Sequence, residues 1–214
     1  MKYEAFFFDF DGVLVDSVEV KTRAFVSLFE PYGETIVAEV VDYHRKNSGL
    51  TRREKILYYY DSLLRQSVDQ KEIDTLCEKF SRLVVSEVVA APEIPGAEAF
   101  LKSCQGNIPC FVISATPEEE LRHIVESRGW TKYFEDIRGA PLLKQENILS
   151  ITVSRGFTTE SCLFFGDAIA DYRAAKLCGM RFMAVLPNRR APLLEFAPEV
   201  QWIRDFSNRL FLIT

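Results

Sequence analysis

No run of apolar residues in this sequence approaches the length of a membrane span, and no tract of lysine or arginine breaks its charge pattern. The first absence argues against a membrane protein. The second, with a net charge of −5, removes the electrostatic footprint needed to grip a nucleic-acid backbone. Histidine is scarce, with only His44 and His123 in 214 residues. The five cysteines are scattered and none is spaced C-x-x-C, which argues against a zinc knuckle, a redox pair or a disulfide framework. Near the N-terminus the run Tyr3-Glu4-Ala5-Phe6-Phe7-Phe8 is too short for a signal peptide and lacks a cleavage site. Internal repeats and low-complexity tracts are missing too. A cytoplasmic protein acting on small molecules is the expectation.

What is present is apolar material, 48% of the chain, enough to bury a full core. Four short runs rich in β-branched and aromatic residues read as buried strands: Ala5–Phe8, Cys110–Ile113, Cys162–Phe165 and Phe182–Val185. Helical patterns separate them, from Pro117 to Arg128 before Gly129 and from Asp167 to Gly179. Strands alternating with helices predict an α/β fold, a doubly wound, Rossmann-like parallel sheet. Between Asp16 and Pro92 no strand is evident. Val18–Phe29, Ile36–Lys46, Arg52–Leu64 and Asp69–Val88 are the expected helices, broken at Pro31-Tyr32-Gly33 and Asn47-Ser48-Gly49. Residues 17–91 are therefore expected to form an all-helical cap inserted into a core made of residues 1–16 and 92–214, crossed twice by the chain and hinged as a lid.

Asp9 and Asp11 follow an apolar strand and, two residues apart, fall on one side of it. Ligands of a parallel sheet bind beyond the carboxyl ends of its strands, where this pair lies. Alone, Asp-Gly equally fits a simple turn. A second cluster, Gly166-Asp167-Ala168-Ile169-Ala170-Asp171, also follows a strand and sets Asp167 and Asp171 one helical turn apart, although Asp167 alone equally fits a helix cap. Carboxylates gathered at one sheet edge raise one another's pKa unless a cation is present, and an all-oxygen donor set selects a hard ion, magnesium being the economical choice. Ser114 ends a strand beside backbone N–H groups that open onto a helix, a donor set for an anion or a plain N-cap. Lys144, before a helix expected from about Glu146, is on its own an ordinary surface lysine.

The order Asp-x-Asp, Ser, Lys, Gly-Asp-x-x-x-Asp, and above all the string from Phe8 to Ser17, resembles the haloacid dehalogenase superfamily, in its phosphoglycolate phosphatase-like and β-phosphoglucomutase-like branch. The resemblance covers nearly the whole chain, and the helical insertion sits where that branch carries its cap. It implies that Asp9 is the nucleophile forming an aspartyl-phosphate and Asp11 the acid and base. It implies Mg²⁺ held by Asp9, by Asp11 through its backbone carbonyl, and by Asp167, with Asp171 supporting the metal site. Ser114 and Lys144 would bind the transferring phosphoryl group, and Gly12, Ala115, Gly49 and Arg52 would meet substrate.

Several positions test the resemblance. Gln145 follows Lys144 where many relatives carry proline, so Lys132 is a fallback for the lysine. Asp11 argues against a dehalogenase, which lacks the second aspartate. The segment from Ser48 to Glu54 looks like the substrate-contacting segment of phosphomutase caps, yet Lys21 stands where those enzymes typically carry histidine, so hydrolysis is expected over mutase chemistry. A silent ligand- or partner-binding member would have lost Asp9, Asp11 or Asp167, and none is lost. The expected substrate is a small phosphorylated metabolite such as a sugar phosphate or phosphoglycolate. His44, beside Arg45 and Lys46, is expected at the surface, with a place facing substrate as the alternative; His123, on the sheet-domain helix, carries no functional signal, and Tyr58-Tyr59-Tyr60 is expected as a mix of cap core and surface rather than as a platform for a sugar.

Overall fold

The structure is a computed structural model and describes residues 3–207. Its sheet contains β1 (Ala5–Phe8), β2 (Cys110–Pro117), β3 (Asp136–Ala140), β4 (Cys162–Gly166), β5 (Arg181–Val185) and β6 (Trp202–Ile203), all parallel, in the order β3-β2-β1-β4-β5-β6. The alternation of β1 explains why its run is continuously apolar: Phe6 and Phe8 enter one apolar cluster while Ala5 and Phe7 enter another on the opposite face. β2 and β4 divide their side chains in the same way, with Val112 and Phe165 on the first face and Phe111 and Phe164 on the second. Both faces are thus covered, as a doubly wound sheet requires.

The four expected strands are present, but β3 and β6 lie outside the apolar runs singled out in the sequence. β3 is an edge strand buried only at alternate residues, and β6 has two residues, so neither produces a continuous apolar run.

Between β1 and β2 lie α1 (Val18–Phe29), α2 (Glu34–Lys46), α3 (Arg52–Tyr58), α4 (Gln70–Ala90) and α5 (Ala97–Cys104). The helix expected over Arg52–Leu64 is divided: α3 ends at Tyr58, and Tyr59–Leu64 continues as a π-helical turn that closes at Arg65 in the left-handed region. Tyr59 and Tyr60 are both buried there, against Phe29, and Tyr58 stacks on Tyr43. The remaining helices are α6 (Glu118–Ser127), α7 (Lys144–Arg155), α8 (Ile169–Leu177) and α9 (Pro192–Phe196). α7 begins at Lys144, two residues earlier than the sequence suggested.

The two crossings of the chain between sheet and helical segment are tied side by side. Asp16 N–H donates to the Pro92 carbonyl at 2.9 Å and Ile94 N–H to the Leu14 carbonyl at 3.0 Å. Arg128, from the end of α6, caps the neighbouring helix end, its Nη1 donating to the carbonyls of Val88, Val89 and Ala91. All five cysteines are free thiols. No helix of the described residues is long and apolar enough to cross a membrane.

Candidate active site

β1 sits at the middle of the sheet with β2 on one side and β4 on the other, so the strand order reverses about it and a crevice opens beyond the carboxyl ends. Asp9 leaves the end of β1, Ser114 lies in β2, and Asp167 follows β4; all three line one pocket. Gly12 makes the close approach possible. Its φ is +79°, and a Cβ there would lie 2.6 Å from Asp167 Oδ2, so any side chain would push against the carboxylate.

Asp9, Asp167 and Asp171 bring carboxylate oxygens within 4.8 Å of one another. Asp171 is fully buried and already occupied: it accepts from the backbone N–H groups of Asp167 and Ala168, at 3.2 and 3.0 Å, and from Lys144 Nζ. Lys144 Nζ also stands 3.0 Å from Asp9 Oδ1, an ion pair without hydrogen-bond geometry, so that this buried oxygen lacks a donor. Burial, followed by the neighbouring Asp171 and Asp11 charges, pushes the Asp9 pKa up to about 7 against the pull of Lys144. Burial and the charges of Asp171 and Asp9 likewise hold Asp167 well above the usual carboxylate range. Burial opposes the charge on Lys144, but Asp171 and Asp9 outweigh it and raise its pKa. One lysine among three carboxylates leaves negative charge uncompensated. An all-oxygen cluster with an orphaned, buried carboxylate oxygen fits a small hard cation.

Asp11 lives in a different environment. Burial opposes its charge, but Lys21, with hydrogen bonds from Lys21, Ser17 and Thr116, overrides that and holds the carboxyl below its usual range. Ser17 Oγ donates to Oδ1 at 2.6 Å, and Thr116 Oγ1 lies 3.2 Å from Oδ2, which also accepts from Lys21 Nζ. Asp11's carboxylate is outside the cluster formed by the other three aspartates. Sequence reasoning missed Lys21 and Thr116 as neighbours of Asp11. A signal existed for Thr116, which stands two residues beyond Ser114 along β2 and so on the same side.

Helices α2, α3 and α4 roof the pocket. Gly49, Arg52, Phe80 and Lys55 line it from above, with Ala115 and Thr116 below. Gly49 is where roof meets floor: a Cβ on it would lie 2.7 Å from Ala170 Cβ and 3.0 Å from Ala168 Cβ. Arg52 opens α3 behind the capping box of Thr51 and Glu54. Its guanidinium is already held by Glu120 of α6, at 2.9 and 2.5 Å, with both side chains under one-tenth exposed. Of the two places the sequence left open for His44, the surface one is overturned and the one facing the pocket is found. The residue is 2% exposed, because it sits one turn after buried Val40 on the inner face of α2, and it lines the pocket. Lys132 lies on the short 3₁₀ turn Thr131–Tyr133, with its Nζ over the Tyr133 ring, and it is not part of the pocket. The floor therefore gathers Asp9, Asp11, Ser114, Lys144, Asp167 and Asp171, and among the lysines considered only Lys144 reaches Asp9. The cavity left under the roof is about 40 Å³, room for roughly three waters at 10–15 Å³ each.

The family model for haloacid dehalogenase-like hydrolases matches residues 6–185. The chain belongs to that family. It is an enzyme, a phosphoric monoester hydrolase of the haloacid dehalogenase type. It is 25% identical over 201 residues to phosphoglycolate phosphatase 1 of Pseudomonas aeruginosa, covering 89% of this chain and 73% of the relative. It is 26% identical over 185 residues to 6-phosphogluconate phosphatase of Escherichia coli, covering 84% and 80%. Among solved structures, β-phosphoglucomutase from Clostridium difficile superposes with a TM-score of 0.78 at 21% identity, covering 96% of this chain and 92% of that one, a likeness of fold.

Proposed function

We propose that this chain is a Mg²⁺-dependent cytoplasmic phosphatase of a small phosphorylated metabolite, working through a phosphorylated Asp9, with residues 17–91 as a cap over a core of residues 1–16 and 92–214. The observation that carries the reading is the separation of two neighbouring carboxylates into two environments. Asp9 is buried among acids with Lys144 against it, while Asp11 is kept ionised by Lys21, Ser17 and Thr116. In the metal-free chain it is Asp9 that holds its proton more tightly, and a cation bound beside it would lower that pKa and give the carboxylate a nucleophile needs, while the ionised Asp11 with Lys21 against it forms an acid–base pair.

In this reading Asp9 attacks phosphorus, the P–O bond to the leaving group breaks, and the leaving oxygen takes a proton from the Asp11–Lys21 pair. Asp11 then removes a proton from the water that attacks the aspartyl-phosphate, which returns Asp9 and releases phosphate. Lys144 and Ser114 stabilise the phosphoryl oxygens, and Gly12 and Ala115 let backbone approach them. Asp9, Asp167 and the Asp11 backbone carbonyl would hold Mg²⁺, with Asp171 fixing Lys144 and the turn after β4. Bound there, the cation offsets charge on the cluster and on the phosphoryl oxygens.

The relatives named for phosphoglycolate and 6-phosphogluconate support the substrate class. Phosphate release from a panel of phosphorylated metabolites with Mg²⁺ tests the proposal. Asp9→Asn is expected to lower kcat on the order of 10⁴-fold or more. Turnover that survives the substitution sinks the nucleophile assignment, and phosphate moved between sugar hydroxyls without net release makes the enzyme a mutase.

A further inference from the structure

The roof of the pocket carries one cation that no acid answers. Arg52 is neutralised by Glu120, whose carboxylate also accepts from Ser81 Oγ at 2.6 Å. Lys21 is held by Asp11, and Lys144 by Asp9 and Asp171. Lys55 differs. It is 2% exposed, it lines the same pocket as Asp9 and Ser114, and among the described residues no carboxylate comes within ion-pair distance of it. Its Nζ lies 3.0 Å from His44 Nδ1 and 3.2 Å from the Ser48 carbonyl.

Both partners are neutral acceptors. Burial, then the Lys55 charge, pushes His44 down to about 3, so its ring is uncharged; with the lysine as ammonium, Nδ1 is the acceptor, and the ring proton then falls on Nε2, a buried atom without a hydrogen-bond partner. Burial, then the like charge of Lys21, brings Lys55 down to about 7. An ammonium has three donors, and two are used here. Burying a lysine with a spare donor and no counter-charge is costly in a folded chain. At the wall of a binding pocket, that cost is offset when a ligand brings the missing anion.

We propose that Lys55, fixed by His44 and the Ser48 carbonyl, is the specificity-determining cation of the roof, and that it receives a carboxylate on the leaving-group side of the substrate. The preferred substrates are then small phosphorylated acids. The phosphate to be cleaved is taken at the floor, and the second anion meets the roof. The wall offers one cation without an acid beside it, which matches the single charge of a carboxylate, whereas a second phosphate would bring about two charges. This assignment rests on the phosphatase reading above and names its substrate class.

The test compares kcat/KM for phosphoglycolate with that for 2-hydroxyethyl phosphate, which replaces the carboxylate by a hydroxymethyl group. The wild type is expected to prefer the acid, and Lys55→Met to reduce that preference about tenfold or more, in KM and not in kcat. Lys55→Gln, which keeps a hydrogen-bond donor without the charge, is expected to do the same and serves if the methionine variant does not fold. A wild type without preference, or a preference unchanged in both variants, overturns the proposal. Calorimetric binding of phosphoglycolate with Mg²⁺ to Asp9→Asn and to Asp9→Asn/Lys55→Met gives an answer independent of turnover, with binding at least about tenfold weaker expected in the double variant. A wild type that cleaves no ester would end the phosphatase reading, and the calorimetry would still decide Lys55, equal affinities overturning it.

Discussion

The floor and the roof of the pocket are built in opposite ways. The floor stands on strand ends of one parallel sheet and gathers four aspartates against Lys21 and Lys144. The roof stands on packed helices and presents Arg52 and Lys55 against Glu120 alone. One half has negative charge to spare and the other positive. In the function proposed above, each would be completed by what binds between them, a cation at the floor and an anionic ester reaching toward the roof. The difference also separates two ways of placing a side chain, by the termination of a strand and by the meeting of distant helices.

The largest effect is expected where roof and core are joined by charge. Arg52→Met leaves Glu120 buried without its partner, which typically costs about 3–5 kcal/mol. Urea denaturation measures it. Arg52→Met/Glu120→Leu removes both charges and is expected to recover most of the loss, because a buried ion pair is often replaceable by apolar packing. A single variant that loses less than about 1 kcal/mol would show that the pair does not tie the roof down.

A second prediction isolates the floor. Asp9, at about 7 in the folded chain against 3.8 for the free group, keeps its proton between those values while the unfolded chain has lost it. Without metal, Asp9 therefore lowers stability as pH rises from about 4 to about 7, and Asp167 acts in the same direction. The roof opposes this: His44, held near 3, raises stability as pH climbs to about 6.5. The stabilisation gained on adding Mg²⁺, taken as a difference at each pH, cancels the His44 contribution. It is expected to grow across pH 4 to 7 by up to about 1.4 kcal/mol per pH unit for each proton the cation displaces. Urea midpoints in EDTA and in Mg²⁺ give this difference, and a flat one would exclude these carboxylates as ligands.

The same contrast decides what could be read from the sequence. β1, β4 and the first half of β2 are buried on both faces and read as continuous apolar runs, so the aspartates beyond β1 and β4 are legible with them, as is Ser114, although β2 runs on past it to Pro117. At Lys144 the motif is blurred by Gln145 in place of proline, and only the 3.0 Å approach to Asp9 marks this lysine as part of the floor. β3 and β6 were illegible because edge position and shortness remove the run. The roof was mostly illegible. Glu120 is 68 residues from Arg52, and Lys21 reaches Asp11 only because α1 turns back over β1. His44 is legible despite its charged neighbours, because its spacing from Val40 marks the buried stripe of α2.

The smallest change in free energy should fall at the point where roof and floor touch. Gly49 faces Ala168 and Ala170, at the start of the α8 segment that also carries Asp167 and Asp171. Alanine side chains have no rotamer with which to move aside, so Gly49→Ala must lift the loop between α2 and α3 away from the floor or shift the turn after β4. The added methyl removes no buried contact, and the cost to folding should stay under about 1 kcal/mol. Closure suffers more than folding, because groups on the two halves must meet across a substrate whose geometry tolerates little displacement. A drop in kcat/KM of about tenfold or more is expected, with the urea midpoint nearly unmoved. An unchanged kcat/KM would mean that the roof works without this contact, and that the floor carries the chemistry by itself.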